Sequence, residues 1–555
     1  MDQKLSQNRP ALSLWRRYVL VLGGVAVLVF GIFMGRQAFT PAAAAPEEKV
    51  EPVTQMPAHL FKDWGVPEVA LLLSGQTFGY LQPCGCSEPQ FGGLVRRYNV
   101  VKLLEKKGWK VAGIDLGEIY PPKVELAEQA REKFKTTLRA MNVMNYQDFG
   151  LGIPEYKMPL INGLAEMLAL NIKNPRPVSL DLKDPNQIYQ NLSVRSYDVI
   201  DNGKTKVGVS GLVGPTVAKA LQGEPGIDFF ANAAIIPALL PALAKNNVDV
   251  VVLLVQGDAP EAEAIAKACF AERQKNPALP NVDLIVHTSP FDTPPARPQL
   301  VEGTNTRVIY MGHKGKDVGV LGLFRKAAGG FELKYELVSL GPQFATPKDQ
   351  EAGHPVIQLM EEYAATVKQA DFLERYKALR IDHPTQRALQ NANVAAKFVG
   401  TDRCAECHPN AFNVWKDTGH AHAYQTLTTV KNPSLREFDP DCVACHTVGL
   451  KYRTGYYDPP AGADPQKIAG HNQKLLNVGC ESCHGPGSMH ANDPMNKAYH
   501  ALINPIRSKD HPPGVFEQLL DRACQSCHDI ENDVHWGAKK PFQQSWKRIV
   551  HPGVP

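Results

Sequence analysis

Cys404-Ala-Glu-Cys407-His408, Cys442-Val-Ala-Cys445-His446, Cys480-Glu-Ser-Cys483-His484 and Cys524-Gln-Ser-Cys527-His528 repeat one pattern, C-x-x-C-H, four times within residues 404–528. The spacing has a chemical reason. Two thiols three positions apart can each form a thioether to one vinyl group of a haem, and the histidine that follows then lies under the iron as proximal ligand. A lone copy is also compatible with a redox dithiol or half of a zinc site. Four copies, each ending in histidine, select haem. The sequence therefore predicts four haem c groups, attached through Cys404, Cys407, Cys442, Cys445, Cys480, Cys483, Cys524 and Cys527. His408, His446, His484 and His528 are the expected proximal iron ligands.

The region that holds these motifs, 399–555, is too short to wrap four macrocycles in an ordinary side-chain core. The haems themselves must form the core, packed close enough for electrons to hop between them. Outside the motifs the region carries His420, His422, His471, His490, His500, His511, His535 and His551, more than enough for bis-histidine ligation throughout. Saturated iron suits electron transfer, whereas an open position suits small-molecule chemistry.

Three further phrases give this region a resemblance: Trp415-Lys-Asp-Thr-Gly-His420-Ala-His422, Gly479-Cys-Glu-Ser-Cys-His-Gly-Pro-Gly-Ser-Met-His490 and Trp546-Lys-Arg-Ile-Val-His551. They resemble the tetrahaem cytochrome c-554 family. The resemblance implies distal ligands at His420, His490 and His551, with His422, His471 and His535 as reserves. His490 lies so close in sequence to His484 that a neighbouring haem is its better partner. In some members of that family one haem is five-coordinate.

Eight of the 11 cysteines lie in the motifs, leaving Cys84, Cys86 and Cys269. This is not a disulfide framework. A net charge of +4 over 555 residues gives no reason to invoke nucleic acid, and the length suggests two or three domains. Haem attachment of this kind is completed outside the bacterial cytoplasm, and the N-terminus agrees. Basic residues (Lys4, Arg9, Arg16, Arg17) precede an uncharged apolar run, 18–34. At ~1.5 Å per residue that run spans about 25 Å, a little short of a ~30 Å hydrocarbon core. The expectation is a single transmembrane anchor at 18–34 with residues 1–17 cytoplasmic and the bulk of the chain periplasmic. The alternative is a signal peptide cleaved near Ala42–Ala45, leaving a periplasmic or extracellular protein. A Pro/Ala/Glu-rich linker, 35–63, follows.

From 64 to 345 strand-like and helix-like stretches alternate. Strands are expected at 69–73, 111–115, 248–255, 282–287, 308–312, 318–324 and 331–340, and helices at 94–107, 124–141, 160–170 and 261–273. A hairpin is expected around Asp201-Asn202-Gly203. Alternation of this kind implies a layered α/β domain. The order of 71–75, 79–83, 113–118, 250–256, 283–287 and 315–319 resembles the 5′-nucleotidase-type, calcineurin-like metallophosphoesterases. That family holds two metal ions, but here Gln76 and Phe78 occupy its D-x-H position, Glu118 its second acid and Gln256 its lone histidine. Only His287 remains near the last motif. The resemblance thus implies the fold with its hydrolytic chemistry lost. Cys84-Gly85-Cys86, after the first strand, is a candidate thiol or metal site. Gly92-Gly93 with Arg96-Arg97 could hold an anion, or the arginines could simply be solvated. Cys269 is expected in the core. A helical connector, 346–398, leads to the haem domain.

The expected whole is a multidomain chain: membrane anchor, α/β metallophosphoesterase-like sandwich and a mostly helical, loop-rich tetrahaem cytochrome c domain. Its leading function is electron transfer between redox partner proteins or membrane donors. The alternatives are a haem enzyme acting on a small nitrogen or sulfur species at an open iron and, more weakly, a metal-dependent phosphoesterase.

Overall fold

A computed structural model describes residues 55–551 apart from 85–89, 390–393, 504–505, 507–509, 529–532, 534–535 and 537–541, and apart from the side chain of Cys84. The expected anchor, its cytoplasmic flank and most of the linker lie outside the described residues, as do Cys86 and His535. Among the described residues no helix is long and apolar enough to cross a membrane.

Two six-stranded sheets organise the N-terminal region. The strands are β1 (Val69–Ser74), β2 (Val111–Asp115), β3 (Tyr146–Gly150), β4 (Arg176–Val178), β5 (Asp198–Asp201), β6 (Lys206–Val213), β7 (Val250–Gln256), β8 (Leu284–His287), β9 (Gln299–Leu300), β10 (Arg307–Ile309), β11 (Asp317–Arg325) and β12 (Phe331–Ser339). The first sheet runs β12-β11-β1-β2-β3-β4 and the second β9-β10-β8-β7-β6-β5. The central strands β1 to β4 are parallel, as are β6, β7, β8 and β10. The antiparallel pair β5–β6 is the hairpin expected around Asp201-Asn202-Gly203.

The helices are α1 (Leu94–Lys106), α2 (Ala127–Val143), α3 (Asn232–Lys245), α4 (Ala259–Lys275) and α5 (Pro355–Gln369). Strand periodicity explains the layering. Leu71 and Leu73 of β1 face Val252 and Leu254 of β7 in the core between the sheets. Ala70 and Leu72 point the other way, into a core shared with α1, α2 and α5. Val251, Leu253 and Val255 of β7 meet α3 and α4 on the far side. A strand buried on both faces reads as a continuous apolar run, which is what 250–255 shows.

The segment expected as a connector does more than connect. Val356, Leu359, Met360, Tyr363 and Val367 of α5 are buried in the core of the first sheet. His354 caps α5, its ring accepting from the Ile357 amide.

The C-terminal region has little apolar interior. One cluster, including Phe398, Leu427, Val443, Val448, Leu450, Tyr456 and Leu475, surrounds the second motif and also takes in Leu373 and Tyr376. The helix Pro513–Cys524 and the helix Pro409–Trp415 bury no residue at all. Isolated helices of this length are marginal in water.

Met360→Ala should lower the stability of the α/β region by about 2–5 kcal/mol, measured by chemical denaturation. Unchanged unfolding would exclude α5 from that core.

Candidate functional site

Each C-x-x-C-H motif lies on a helical turn, which brings its two sulfurs and its imidazole to one side. In the first and fourth motifs the histidine amide donates to the carbonyl of the first cysteine, His408 to Cys404 and His528 to Cys524, both at 2.9 Å. The second motif ends the helix Pro440–His446 and the third forms the helix Cys480–His484. The thiols of different motifs adjoin. Cys404 hydrogen-bonds Cys480, Cys445 hydrogen-bonds Cys527, and Cys483 lies within electrostatic reach of Cys524 and Cys527. The motifs therefore follow one another in space in the order first, third, fourth, second.

The histidine rings test whether iron porphyrin fits. In three of the four motifs the Nδ1–H is tied down: His446 donates to the Ala423 carbonyl at 2.6 Å, His484 to the Ile503 carbonyl at 2.8 Å and His528 to Asp533 at 3.0 Å. Such a bond fixes the tautomer and leaves Nε2 as the ligating nitrogen. With metal–imidazole bonds of about 2.0–2.1 Å, two rings on opposite sides of one metal have centres roughly 6 Å apart. Three such pairs occur: His408 with His490 at 5.9 Å, His528 with His420 at 6.0 Å and His484 with His551 at 6.0 Å. His490 thus faces the histidine of a different motif from its sequence neighbour. Among the described residues no imidazole lies opposite His446. The donor set fits haem c.

The reserve histidines separate from the candidates. His471 is buried, and its Nε2 is bound to the Gly455 carbonyl at 2.8 Å, a structural bond that occupies the ligating nitrogen. His422 is exposed. Two residues that sequence reasoning passed over complete the fourth motif: Asp533 orients His528, and Trp536 stacks on its ring at 4.6 Å. A third is Glu481, inside the third motif. Its buried carboxylate accepts from the amides of Val399, Gly400 and Gly487, stapling the start of the region to the motif.

The carboxyl ends of β1, β2 and β7 gather Gln76, Glu118 and Gln256, where the two-metal residues were expected to be replaced. The Gln76 amide donates to Glu118 at 2.9 Å, and its carbonyl accepts from the Ser289 amide at 3.1 Å. Gln256 donates to the Leu116 carbonyl. His313 is bound to the Ser289 carbonyl at 2.7 Å and His287 to the Thr288 carbonyl at 2.8 Å. Gln76, Phe78 and Glu118 keep positive φ angles of 48°, 53° and 56°, a backbone that costs of order 1–3 kcal/mol each. Among the described residues no group of three or more His, Cys, Asp or Glu converges as a metal cage. Carboxamides and a carboxylate bonded to one another do not fit a two-metal centre.

Neither reading of Arg96 and Arg97 holds. Both are buried. Arg96 donates to the Leu340 carbonyl at 3.2 Å, and Arg97 lies 3.9 Å from the buried Asp115 and 3.3 Å from the Ser74 hydroxyl. They brace the sheet edge. Cys269 is in the core as expected, burial pushing its thiol up to about 12.

The geometry thus defines a protein of the multihaem c-type class, with a two-sheet α/β region beside it. Comparison with known proteins agrees. The family model described as cytochrome c554 and c-prime matches residues 403–485. Cytochrome c-554 of Nitrosomonas europaea is 30% identical over 167 residues, covering 28% of this chain and 67% of that protein. Through its C-terminal region the chain belongs to the cytochrome c-554 family. The α/β region is similar to a sulfate thiohydrolase, SoxB, of Thermus thermophilus (14% identity, TM-score 0.43, 54% of this chain and 61% of that one). It is also similar to a 5′-nucleotidase precursor from Thermus thermophilus (19%, TM-score 0.42, 62% and 68%) and to the calcineurin-like phosphoesterase YfkN of Bacillus subtilis (17%, TM-score 0.39, 54% and 98%). The two-sheet architecture itself is given by the strand order above.

Glu155, fully buried behind Glu118, accepts from the amides of Tyr120 and Gly152, and burial pushes its carboxyl up to about 7 from 4.5. The folded state then holds a proton that the unfolded chain has released. This contribution to stability is present below about pH 4.5 and is lost as pH rises to about 7, by about 3 kcal/mol in all. Glu155→Gln should flatten that slope in denaturation curves taken across the interval. An unaltered slope would remove Glu155 as its source.

Proposed function

We propose that this chain is a tetrahaem c-type cytochrome that carries electrons between redox partners, with the α/β region as its phosphoesterase-like scaffold. One observation carries the reading. Three imidazole pairs stand 5.9–6.0 Å apart in a region where the helix leading into the fourth motif buries no residue. When bound, each haem iron supplies a one-electron ferric/ferrous couple. Eight cysteines would hold the haems, the motifs following one another in the order first, third, fourth, second. His408 and His490, His484 and His551, and His528 and His420 are the imidazole pairs that would supply nitrogens to three of the irons. The Ala423 carbonyl, the Ile503 carbonyl and Asp533 hold the proximal rings in the ligating tautomer. The N-terminal apolar run would tether the protein to the outer face of a bacterial cytoplasmic membrane, with membrane or soluble donors as partners.

A second reading is favoured by one feature. Among the described residues His446 is the motif histidine without a facing ring, so the second haem is where an iron open to a small nitrogen or sulfur species would be sought. Binding of carbon monoxide by the reduced protein at one of its four haems supports that reading. Fully low-spin, carbon monoxide-inert haem excludes it.

His420→Ala, His490→Ala and His551→Ala should each convert one low-spin haem to high-spin in the visible and paramagnetic resonance spectra. His422→Ala and His471→Ala should leave the spin state unchanged. A substitution at one of the first three positions that leaves the spectrum as it was removes that histidine from the ligand set.

A further inference from the structure

We infer that the α/β domain sets the electrostatic environment of the second attachment motif, with Lys133 of α2 as the positioning residue. This rests on the haem-bearing reading above. The helix Pro440–His446 carries Cys442, Cys445 and His446, and Asp439 caps its N-terminus by accepting from the Asp441 amide at 2.9 Å. The α/β domain grips that cap from two helices. Lys133 donates to Asp441 at 2.5 Å. Gln129, one turn earlier on α2, donates to Asp439 at 2.7 Å. The Tyr363 hydroxyl of α5 donates to the other oxygen of Asp439 at 3.3 Å.

The seam continues on both sides of the motif. Glu361 of α5 accepts from the amide and hydroxyl of Ser434 at 2.9 and 2.6 Å, and Glu125 accepts from Lys451 at 3.0 Å. Pro440 and Val443 of the motif helix are buried. These contacts hold the charges of the seam at fixed distances from the attachment site. Asp439, Arg436, Asp441 and Lys133 all act electrostatically on the Cys442 sulfur.

The consequence follows from Coulomb's law. Ferrous haem carries one positive charge fewer than ferric haem. A fixed cation beside the site favours the reduced form, a fixed carboxylate favours the oxidised form, and the packed interface screens both less than water does. The α/β region would in this way adjust the redox poise of the haem at one end of the series. Steric support alone cannot mimic this signature, because the two signs of charge must act in opposite directions.

The test uses the full-length protein matured with haem and titrated spectroelectrochemically. Lys133→Met should move one haem component to lower potential, and Asp441→Asn should move the same component to higher potential. Lys133→Arg, which keeps the charge, should leave it in place and guards against loss of folding in the methionine variant. The inference is overturned if neither neutralising variant moves a component, if both move it in one direction, or if Lys133→Arg behaves like Lys133→Met. Intact mass of the same preparations separates this from the parent reading: a wild-type chain without haem additions sinks the cytochrome assignment itself.

Discussion

Facing imidazoles about 6 Å apart are the constraint on which the C-terminal region depends. The members of each pair are tilted or edge-on to one another rather than stacked, and two of the helices nearby bury no residue. A haem iron between the rings, as proposed, would account for the spacing and for the small side-chain core together. Thioethers would then tie helical turns of five residues or so to a rigid disc.

The α/β half follows the ordinary rule. Its central strands are apolar on both faces because each face is covered, by the other sheet on one side and by helices on the other. Its loop cluster keeps positive φ angles at Gln76, Phe78 and Glu118, while the Gln76 carboxamide bonds the Glu118 carboxylate and the Ser289 amide. Its helices α2 and α5 then meet the cap of the second motif, so the two halves share a polar seam.

Much of this was legible in the residues. The strands at 69–74, 111–115, 250–256 and 317–325 stand within a residue or two of the apolar runs that announced them, and Asp201-Asn202-Gly203 turns a hairpin. The helix Asn232–Lys245 was not foreseen, because Pro237 and Pro241 lie inside it and read as breakers. The short strand Tyr146–Gly150 was hidden by its polar residues Gln147 and Asp148. Arg96 and Arg97 read as surface charge because their partners Asp115, Ser74 and the Leu340 carbonyl are remote in sequence. For the same reason no spacing rule could pair His490 with His408 or His420 with His528. Glu481 was not legible either: the first motif also carries an acid, Glu406, which is exposed and pairs with Arg403, and only the fold brings the Val399, Gly400 and Gly487 amides to Glu481.

Hydrogen exchange of the backbone amides in 404–528 tests the central claim most directly, comparing chain matured with haem against the same chain made without it. The expected result is strong protection with haem and near-complete loss without it, while 69–74 and 250–256 stay protected in both. Equal protection of 404–528 in the two preparations would contradict the account, because this region would then have a core of its own.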